Sequence, residues 1–287
     1  MILSEINIYP IKSLGGISLK SSTVEACGLQ FDRRWLLIDE KNNFLTQRNF
    51  SKMATVNVEV LKNGLRVSEN GNEMNIPFEP NTNEAASVKI WSSRCRAKVY
   101  EKETNDWFSN VLQTDCKLVL MPEETRRKVN YFYAVHKDDT VSFADAYPYL
   151  LIGESSLEDL NSRLENPVPM NRFRPNFVVS GTEAFAEDKW KQIKIGACVF
   201  HVVKPCGRCV ITTIDQASGE KQSVEPLKTL ASYRIPKRSI KKKILFGQNL
   251  IAENAGDVVK IGDKVEVIQT KNTRYSGFRI QDSKLKS

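Results

Sequence analysis

Apolar and polar residues alternate along most of the first third of the chain, and this period of two predicts β-strands. Ile2, Ile6 and Ile8 share one face of the first predicted strand. Further short apolar runs lie at Val24 and at residues 35–38, 56–60 and 65–67. Residues 39–43 contain Asn and residues 62–64 contain Asn and Gly, and both segments are predicted to be hairpin turns. Asn and Gly tolerate the positive φ that such turns require. The first third is therefore expected to form a meander or a small β-barrel.

Two segments have the spacing of amphipathic helices. Residues 104–112 place their bulky apolar side chains on one helical face. Residues 155–158, Ser-Ser-Leu-Glu, match a capping box and precede a stripe of leucines that Pro167 ends. Residues 122–140 are polar and basic without sustained periodicity, which predicts a connector.

Strand patterns return in the second half of the chain. They lie at residues 176–180, 193–203 and 209–214, and residues 258–268 have the pattern of a hairpin with a Gly-Asp turn. The strands do not alternate with regular helices, which argues against a doubly wound sheet. No internal repeat of fixed period is present. The chain is predicted to be mainly β with some α.

Composition and charge narrow the class of protein further. The 287 residues are 41% apolar and carry 42 Lys and Arg against 34 Asp and Glu, a net charge of +8. This balance excludes disorder of the whole chain and allows one large or two modest domains. No apolar run reaches the ~18 residues of a membrane helix. The first residues lack the basic start and apolar block of a signal peptide, so we expect a cytoplasmic protein.

The positive charge could serve a nucleic acid, an acidic protein or a phosphorylated ligand. Basic clusters occur at residues 126–128, 237–238 and 241–243, with further lysines in the tail. They are not interleaved with aromatic residues, and no nucleic-acid module accompanies them. We interpret them first as solvated surface and second as a surface for an acidic protein. No nucleic-acid partner is expected.

Cys206 and Cys209 form the one closely spaced cysteine pair, since the other four cysteines are scattered. A thioredoxin-like motif would begin a helix, but the β-branched residues 210–214 predict a strand. A structural zinc site needs four ligands, and His201 would supply only a third. Two interpretations remain: a pair of buried core thiols, or a thiolate, favoured by Arg208, that binds a soft metal.

Several separate motifs, in order, resemble the MOSC family, which includes the C-terminal domain of molybdenum cofactor sulfurases. They are residues 171–176 (NRFRPN), 206–209 (CGRC), 212–215 (TTID) and 246–247 (FG). Residues 9–13 (YPIKS) and 32–35 (DRRW) resemble the MOSC N-terminal β-barrel domain. The combination is most similar to the amidoxime-reducing components. It implies a small β-barrel domain at 1–121, a β-barrel-like MOSC domain with peripheral helices at 122–272, and a basic tail at 273–287.

The resemblance also implies a molybdenum cofactor, a molybdopterin with mononuclear molybdenum, and a site for it. In such proteins the second Cys of this motif binds molybdenum, so Cys209 is the expected metal ligand and catalytic residue. The residues that match the family's cofactor contacts are Lys12, Ser13, Arg33, Arg174, Asn176, Gly207 and Arg208. Arginine suits a phosphate because its planar fork donates two parallel hydrogen bonds. A plain ion pair of Arg33 with Asp32 is the alternative.

Three further positions are expected at the cofactor although they depart from the family pattern. Ala146 and Tyr147 stand where relatives commonly have Thr-Ser, and Asn249 stands where a Tyr often follows Phe-Gly-Gln in animal proteins. These changes bear on substrate preference more than on cofactor binding. Asp145 and Asp215 are expected to hold loops or supply protons. Cys206 and His201 are expected to be structural, and His136 does not lie at a motif position.

The implied activity is reduction of N-hydroxylated compounds: amidoximes, hydroxylamines and hydroxylated bases. The sequence has no further cysteine cluster for an iron–sulfur centre. Electrons would therefore come from a separate donor protein, ferredoxin-, flavodoxin- or cytochrome b5-like with its reductase. The alternative function is a non-enzymatic carrier of the cofactor or a sulfur-transfer module, in which Cys209 carries sulfur.

Overall fold

The computed structural model describes residues 1–237 and 240–271, and most of its regular structure is β-sheet. The strands are β1 Ile2–Ile8, β2 Ile17–Leu19, β3 Ser21–Glu25, β4 Gly28–Leu29, β5 Trp35–Ile38, β6 Asn57–Leu61, β7 Gly64–Glu69, β8 Asn72–Pro77, β9 Ala85–Ile90, β10 Ser93–Val99, β11 Lys117–Leu120, β12 Tyr149–Gly153, β13 Phe177–Ser180, β14 Trp190–Ile195, β15 Cys198–Gly207, β16 Leu245–Ala252, β17 Val258–Lys260 and β18 Val265–Thr270. The α-helices are α1 Lys102–Leu112, α2 Glu154–Asn161 and α3 Leu227–Tyr233, and short 3-10 turns lie at Ser51–Ala54, Met170–Phe173, Ala186–Lys189 and Val210–Thr213. The predicted fold class, mainly β with some α, is confirmed, and the sheets form curled half-barrels.

One large mixed sheet joins strands from both halves of the chain. Its order is β18-β14-β15-β16-β12-β13-β1-β2, with β12 and β13 parallel and the other neighbours antiparallel. Because β1 pairs with β13, the boundary at residues 121–122 does not separate the sheets, and the domain limits stay a prediction. The predicted tail, 273–287, lies outside the described residues.

Smaller sheets form the rest of the described β-structure. Their orders are β5-β11-β10-β9, β6-β7-β8 and β17-β3-β4. Helix α1 packs Trp107 and Phe108 into the core beneath β5 to β8, and it confirms the helix predicted at 104–112. The turn at residues 62–63 joins β6 to β7 as predicted, since Leu61 pairs with Gly64.

Three aromatic rings form the centre of the core under the large sheet. Tyr149, Phe177 and Phe200 are buried, with ring centroids 5.3 to 5.7 Å apart. They come from β12, β13 and β15, so their packing fixes three neighbouring regions of the sheet. Such offset and edge contacts add to the stabilisation from burial alone.

The strand predicted at residues 209–214 is wrong. The backbone there forms the 3-10 turn Val210–Thr213. The hydroxyls of Thr212 and Thr213 donate to carbonyls three residues earlier, at 3.0 and 2.8 Å. Threonine can satisfy these carbonyls locally, and this competes with its preference for strands. Cys209 therefore lies in a turn just beyond the end of β15.

The hairpin predicted at residues 258–268 is also wrong, because its two arms join different sheets. Strand β17 pairs with β3, whereas β18 pairs with β14. The Gly262 amide donates to the Leu3 carbonyl at 2.8 Å, and the Leu3 amide donates to Asp263 at 2.9 Å. The turn binds β1, so the arms diverge.

The strand predicted at residues 193–203 is interrupted at Gly196, where φ is 58°. The segment forms the end of β14 and the start of β15.

The capping box predicted at residues 155–158 is not formed. Helix α2 begins at Glu154, so Ser155 lies inside the helix and is not its N-cap, and the hydroxyl of Ser155 donates to the Thr182 carbonyl at 2.7 Å. The Ser156 hydroxyl faces the buried Glu187 carboxylate at 2.8 and 2.9 Å. Both hydroxyls therefore bind groups outside the helix and do not cap it. The helix also ends at Asn161, before Pro167 is reached.

We expect Phe200→Ala to lower the free energy of unfolding by about 3 to 5 kcal/mol, because it leaves a cavity beside Tyr149 and Phe177. Urea denaturation measures this loss. Val224→Ala, at a side chain that is 58% exposed, should change the free energy of unfolding by no more than about 0.5 kcal/mol. Equal effects of the two changes would contradict the assignment of the core.

Candidate functional site

The end of β15 positions Arg208. The last residue of the strand, Gly207, pairs with the start of β16, and the Arg208 amide donates to the Ile244 carbonyl at 2.8 Å. The guanidinium donates from Nε to the Phe246 carbonyl at 2.7 Å and from Nη1 to the Phe173 carbonyl at 2.9 Å. Its Nη2 is buried and has no hydrogen-bond partner among the described residues. Burial lowers the pKa of Arg208.

Two further guanidinium groups lie against the aromatic ring of Tyr9. Arg174 lies 4.1 Å and Arg33 lies 4.5 Å from the centre of its ring. Both arginines have positive φ, 54° and 52°, in turns that follow the NRF and FD segments. Burial raises the pKa of the Tyr9 phenol to about 12, so the ring stays neutral. Cations over aromatic faces are attracted by the ring quadrupole.

Arg33 also forms the ion pair that the sequence left as an alternative. Its Nη1 donates to the buried Asp32 carboxylate at 2.6 Å, and the other oxygen of Asp32 accepts the Tyr9 amide at 2.8 Å. Its Nη2 donates to the Arg174 carbonyl at 3.3 Å. The pair with Asp32 fixes the guanidinium in the cluster, and its role toward a ligand stays a prediction.

A chain of amides connects Arg174 to Ser13. Arg174 Nη1 donates to Gln216 at 3.2 Å, while its Nη2 is buried and has no partner within the described residues. Gln216 and Gln47 exchange two side-chain hydrogen bonds of 3.1 Å, and Gln47 donates to the Ser13 carbonyl at 2.8 Å. Burial lowers the pKa of Arg174 to about 10. The guanidinium nevertheless remains charged at neutral pH.

Cys209 joins the same cluster through Arg48. Arg48 Nη2 donates to the Cys209 sulfur at 3.3 Å and lies 3.5 Å from the Asp145 carboxylate. The other oxygen of Asp145 forms an ion pair with the Lys12 ammonium, which also donates to the Phe143 carbonyl at 2.8 Å. Cys209 as a residue is half-buried. The Asp145 carboxylate thus contacts both Lys12 and Arg48, and Arg48 in turn contacts the thiol of Cys209.

The charges around Asp145 set two pKa values. Burial lowers the pKa of the Lys12 ammonium to about 8. For Asp145, partial burial raises the pKa, but the Lys12 and Arg48 cations outweigh it and hold the carboxyl well below its usual range. Arg127 fixes the backbone here by donating to the carbonyls of Ser142 and Asp145 at 2.7 and 3.0 Å. Arg127 is buried, so the interpretation of residues 126–128 as solvated surface is wrong for this residue, whereas Arg126 and Lys128 are exposed.

Two of the predicted contact residues use their amides for strand packing. Asn176 accepts the Leu150 amide and donates to the Asn7 carbonyl, both at 3.1 Å, which ties β12 and β1 to the start of β13. Asn249 donates to the Lys204 carbonyl at 3.0 Å. The structure gives each of these side chains a structural partner, and ligand contact stays a prediction for both.

Ala146 and Tyr147, which depart from the family pattern, differ in their exposure to solvent. Ala146 is exposed beside Asp145, whereas Tyr147 is buried with its ring 6.2 Å from that of Tyr133. Cys206 is partly exposed, and burial raises the pKa of its thiol.

The remaining polar candidates have local partners. Asp215 accepts the amides of Ala217 and Ser218, both at 3.0 Å, and binds Arg172 Nη2 at 2.8 Å, so it holds a loop. His201 contacts the Glu253 carboxylate. His136 lies 3.5 Å from the same carboxylate. These contacts agree with structural roles.

Buried donors without partners show what the site can hold. Within the described residues, Arg172 Nε, Arg174 Nη2 and Arg208 Nη2 are buried and lack acceptors. A buried N–H without an acceptor is costly, and a phosphate-bearing ligand supplies acceptors together with negative charge. The donor set fits the anionic tail of a pterin. Among the described residues no three His, Cys, Asp or Glu side chains gather to hold a metal, so a metal on Cys209 would bring its other ligands with it.

Sequence reasoning missed Gln47, Arg48, Gln216 and Trp91, which border the site. Their segments are ordinary polar or strand-like stretches, and no motif marked them. Only the clustering of Thr, Gln and Arg directly after an apolar run at residue 45 could have drawn attention to Gln47 and Arg48.

Family comparison agrees with this architecture. The family model described as "MOSC domain" matches residues 138–266, and the one described as "MOSC N-terminal beta barrel domain" matches residues 1–115. These matches define the class of protein as a MOSC domain preceded by its N-terminal barrel.

Individual relatives cover nearly the whole chain. Mitochondrial amidoxime-reducing component 1 of Xenopus laevis is 32% identical over 94% of this chain and 83% of its own length. The human protein of the same name is 31% identical over 93% and 82%. Molybdenum cofactor sulfurase of Oryza sativa subsp. japonica is 33% identical over 92% of this chain, which spans 35% of that protein. The chain belongs to the MOSC family, alongside the amidoxime-reducing components.

Two findings concern the cellular location of the protein. No helix in the part of the chain that the structure describes is long and apolar enough to cross a membrane. The amidoxime-reducing relatives are named as mitochondrial proteins, and the cytoplasmic location stays a prediction.

We expect Arg174→Met to preserve the free energy of unfolding or raise it by about 1 kcal/mol, because it removes a buried donor that lacks an acceptor. The same change should weaken binding of inorganic pyrophosphate about tenfold, as measured by calorimetry. Arg66→Met, which removes an exposed ion pair with Glu59, is the matched control and should alter neither property appreciably. A loss of several kcal/mol without any change in pyrophosphate affinity would contradict the assignment.

The pKa of Lys12 predicts a pH dependence. Between about pH 7 and about pH 9 the ammonium loses its proton, and the Asp145 carboxylate keeps Arg48 but loses Lys12 as a cationic partner, so the affinity for sulfate should fall as pH rises. Sulfate keeps a constant charge over this range. Thermal shift of the wild type and of Lys12→Met measures the difference. The variant should bind sulfate more weakly and should lose affinity less steeply; parallel curves would exclude Lys12 as the titrating group.

Proposed function

We propose that the protein is a molybdenum-cofactor oxidoreductase that reduces N-hydroxylated compounds. The observation that carries the proposal is the position of Cys209, a half-buried residue that contacts Arg48 and directly follows Arg208, in a site where Arg174 and Arg208 each keep a buried nitrogen without an acceptor among the described residues. The names of the relatives, amidoxime-reducing component and molybdenum cofactor sulfurase, support the same chemistry.

Each part of the cluster has a distinct task in this proposal. Cys209 would hold the metal as a thiolate, which is a soft ligand. Arg174 and Arg208 would bind the phosphate of the pterin through the nitrogens that now lack acceptors. Lys12 and Arg33 add positive charge near the same group, each fixed by its own carboxylate. When bound, the cofactor supplies the two-electron redox chemistry.

The surrounding residues orient these groups and do not react. The Gln47–Gln216 amide pair keeps Arg174 beside the Ser13 turn. Arg127 holds the backbone that carries Asp145. Asp145 stays ionised in the neutral range because of its cationic neighbours, so we assign it to the positioning of Lys12 and Arg48 and not to proton donation.

The proposed partners follow from the chemistry. The substrates are small amidoximes, hydroxylamines and hydroxylated bases. The electrons come from a separate donor protein, ferredoxin-, flavodoxin- or cytochrome b5-like with its reductase, and the similarity to the amidoxime-reducing components supports this assignment.

The test is reduction of benzamidoxime by protein purified from a cofactor-competent host, with reduced viologen as electron source. We expect Cys209→Ser to lower kcat/KM by at least about a hundredfold, because the hydroxyl replaces the soft ligand. Cys206→Ser, three residues away, is the matched control and should keep most of the activity. Activity that survives in Cys209→Ser would remove the ligand role.

A carrier or sulfur-transfer role is the second candidate, favoured by the match to the sulfurase. It predicts stoichiometric cofactor without turnover, or sulfur bound to Cys209 as a persulfide that thiol reagents release. Molybdenum analysis and mass spectrometry of the same preparation separate this outcome from the reductase. Molybdenum together with turnover excludes a pure carrier.

A further inference from the structure

Trp91 occupies an unusual position for a large aromatic residue. It lies in the tight turn between β9 and β10, and its φ of 54° falls in the left-handed region. Bulky residues avoid this region, and hairpin turns usually place Gly, Asn or Asp there. The side chain is nevertheless 48% exposed. Strain of this kind is concentrated at functional sites.

The indole is held against the site on two sides. Phe44 contacts it edge-on, with ring centroids 5.2 Å apart and an interplanar angle of 68°. The Arg48 guanidinium lies 4.8 Å from the ring centre. A hydrogen bond from the indole also helps to lower the pKa of Asp145. The ring is therefore fixed in orientation while a large part of it faces solvent.

Arg48 connects this ring directly to the thiol. The guanidinium that contacts the indole also donates to the Cys209 sulfur at 3.3 Å. The indole and the sulfur therefore border the same guanidinium group. A small planar molecule that stacks on the solvent-exposed part of the indole can direct its polar end past this guanidinium toward the sulfur.

We propose that Trp91 is a specificity-determining residue, whose exposed indole stacks on the aromatic ring of an N-hydroxylated substrate and directs the N–O group toward Cys209. This inference rests on the proposed function and narrows its substrate class to planar aromatic compounds. Stacked or edge-on aromatic pairs contribute beyond their buried area, and aliphatic substrates lack this contribution.

Other exposed aromatic residues are weaker candidates. Tyr131 and Phe132 are more exposed than Trp91, with ring centroids 3.9 Å apart. Within the described residues, neither has a ring or hydrogen-bond contact with Arg48 or Cys209. Trp91 combines exposure with a link to the thiol through Arg48.

The kinetic test compares benzamidoxime with acetamidoxime, which carries the same reacting group on a methyl in place of a ring. With reduced viologen as donor, the ratio of the two kcat/KM values should fall about fivefold in Trp91→Ala. Trp91→Phe keeps an aromatic face and should restore most of the ratio. A ratio that is unchanged in Trp91→Ala would overturn the inference, because loss of a purely structural role lowers kcat/KM equally for both substrates.

Fluorescence supplies a readout that does not depend on turnover. The chain has four tryptophans, and Trp35, Trp107 and Trp190 are buried, so an added aromatic ligand reaches Trp91 first. We expect benzamidoxime to quench the emission saturably in the wild type and acetamidoxime to have much less effect. Trp91→Phe should lose the saturable component. Equal quenching in the wild type and in Trp91→Phe would overturn the contact.

The two proposals fail in different ways. Wild-type protein that contains molybdenum but reduces neither amidoxime would overturn the proposed reductase function, even if benzamidoxime quenched Trp91. Turnover of both compounds together with an unchanged ratio in Trp91→Ala would leave the reductase function standing and overturn the role of Trp91 alone.

Discussion

The desolvation of guanidinium groups is the constraint on which the site depends. Arg174 and Arg208 are held among aromatic rings and backbone carbonyls, and burial lowers the pKa of both. Each keeps one nitrogen without an acceptor in the described structure. Burial of a charge that is not fully paired costs several kcal/mol. We infer that a fold that carries this cost at Arg174 and Arg208 is arranged to receive an anion there. The Cys209 thiol directly follows Arg208 and contacts Arg48.

The topology explains how residues distant in sequence meet. Strand β1 belongs to the large sheet, between β13 and β2, so the segment that follows it carries Tyr9 and Lys12 to the turns that hold Arg174. Strand β15 of the same sheet ends at the turn that holds Arg208 and Cys209. The smaller β5-β11-β10-β9 sheet contributes the hairpin turn that carries Trp91. The site is therefore assembled from both halves of the chain, and the pairing of β1 with β13 keeps its parts in register.

Sequence reasoning succeeded where the governing interaction is local. Helix 104–112 follows from its apolar face, and the turn at 62–63 follows from Asn and Gly. It failed at Thr212 and Thr213, whose hydroxyls satisfy nearby carbonyls and form a turn in place of the strand that their β-branched side chains favour. It also failed at Gly262, where a distant partner decides the conformation because the segment binds β1. Arg48 could not be predicted, because a polar residue in a loop has the same pattern whether it faces water or a thiol. The motif residues were found only because several motifs occurred together.

X-ray absorption at the molybdenum edge tests the central claim most directly. Protein purified from a cofactor-competent host should contain molybdenum, and the wild type should show one more sulfur scatterer than Cys209→Ala at the same cofactor content. Equal numbers of sulfur scatterers in the two proteins, or wild-type protein that takes up no molybdenum from such a host, would contradict the account.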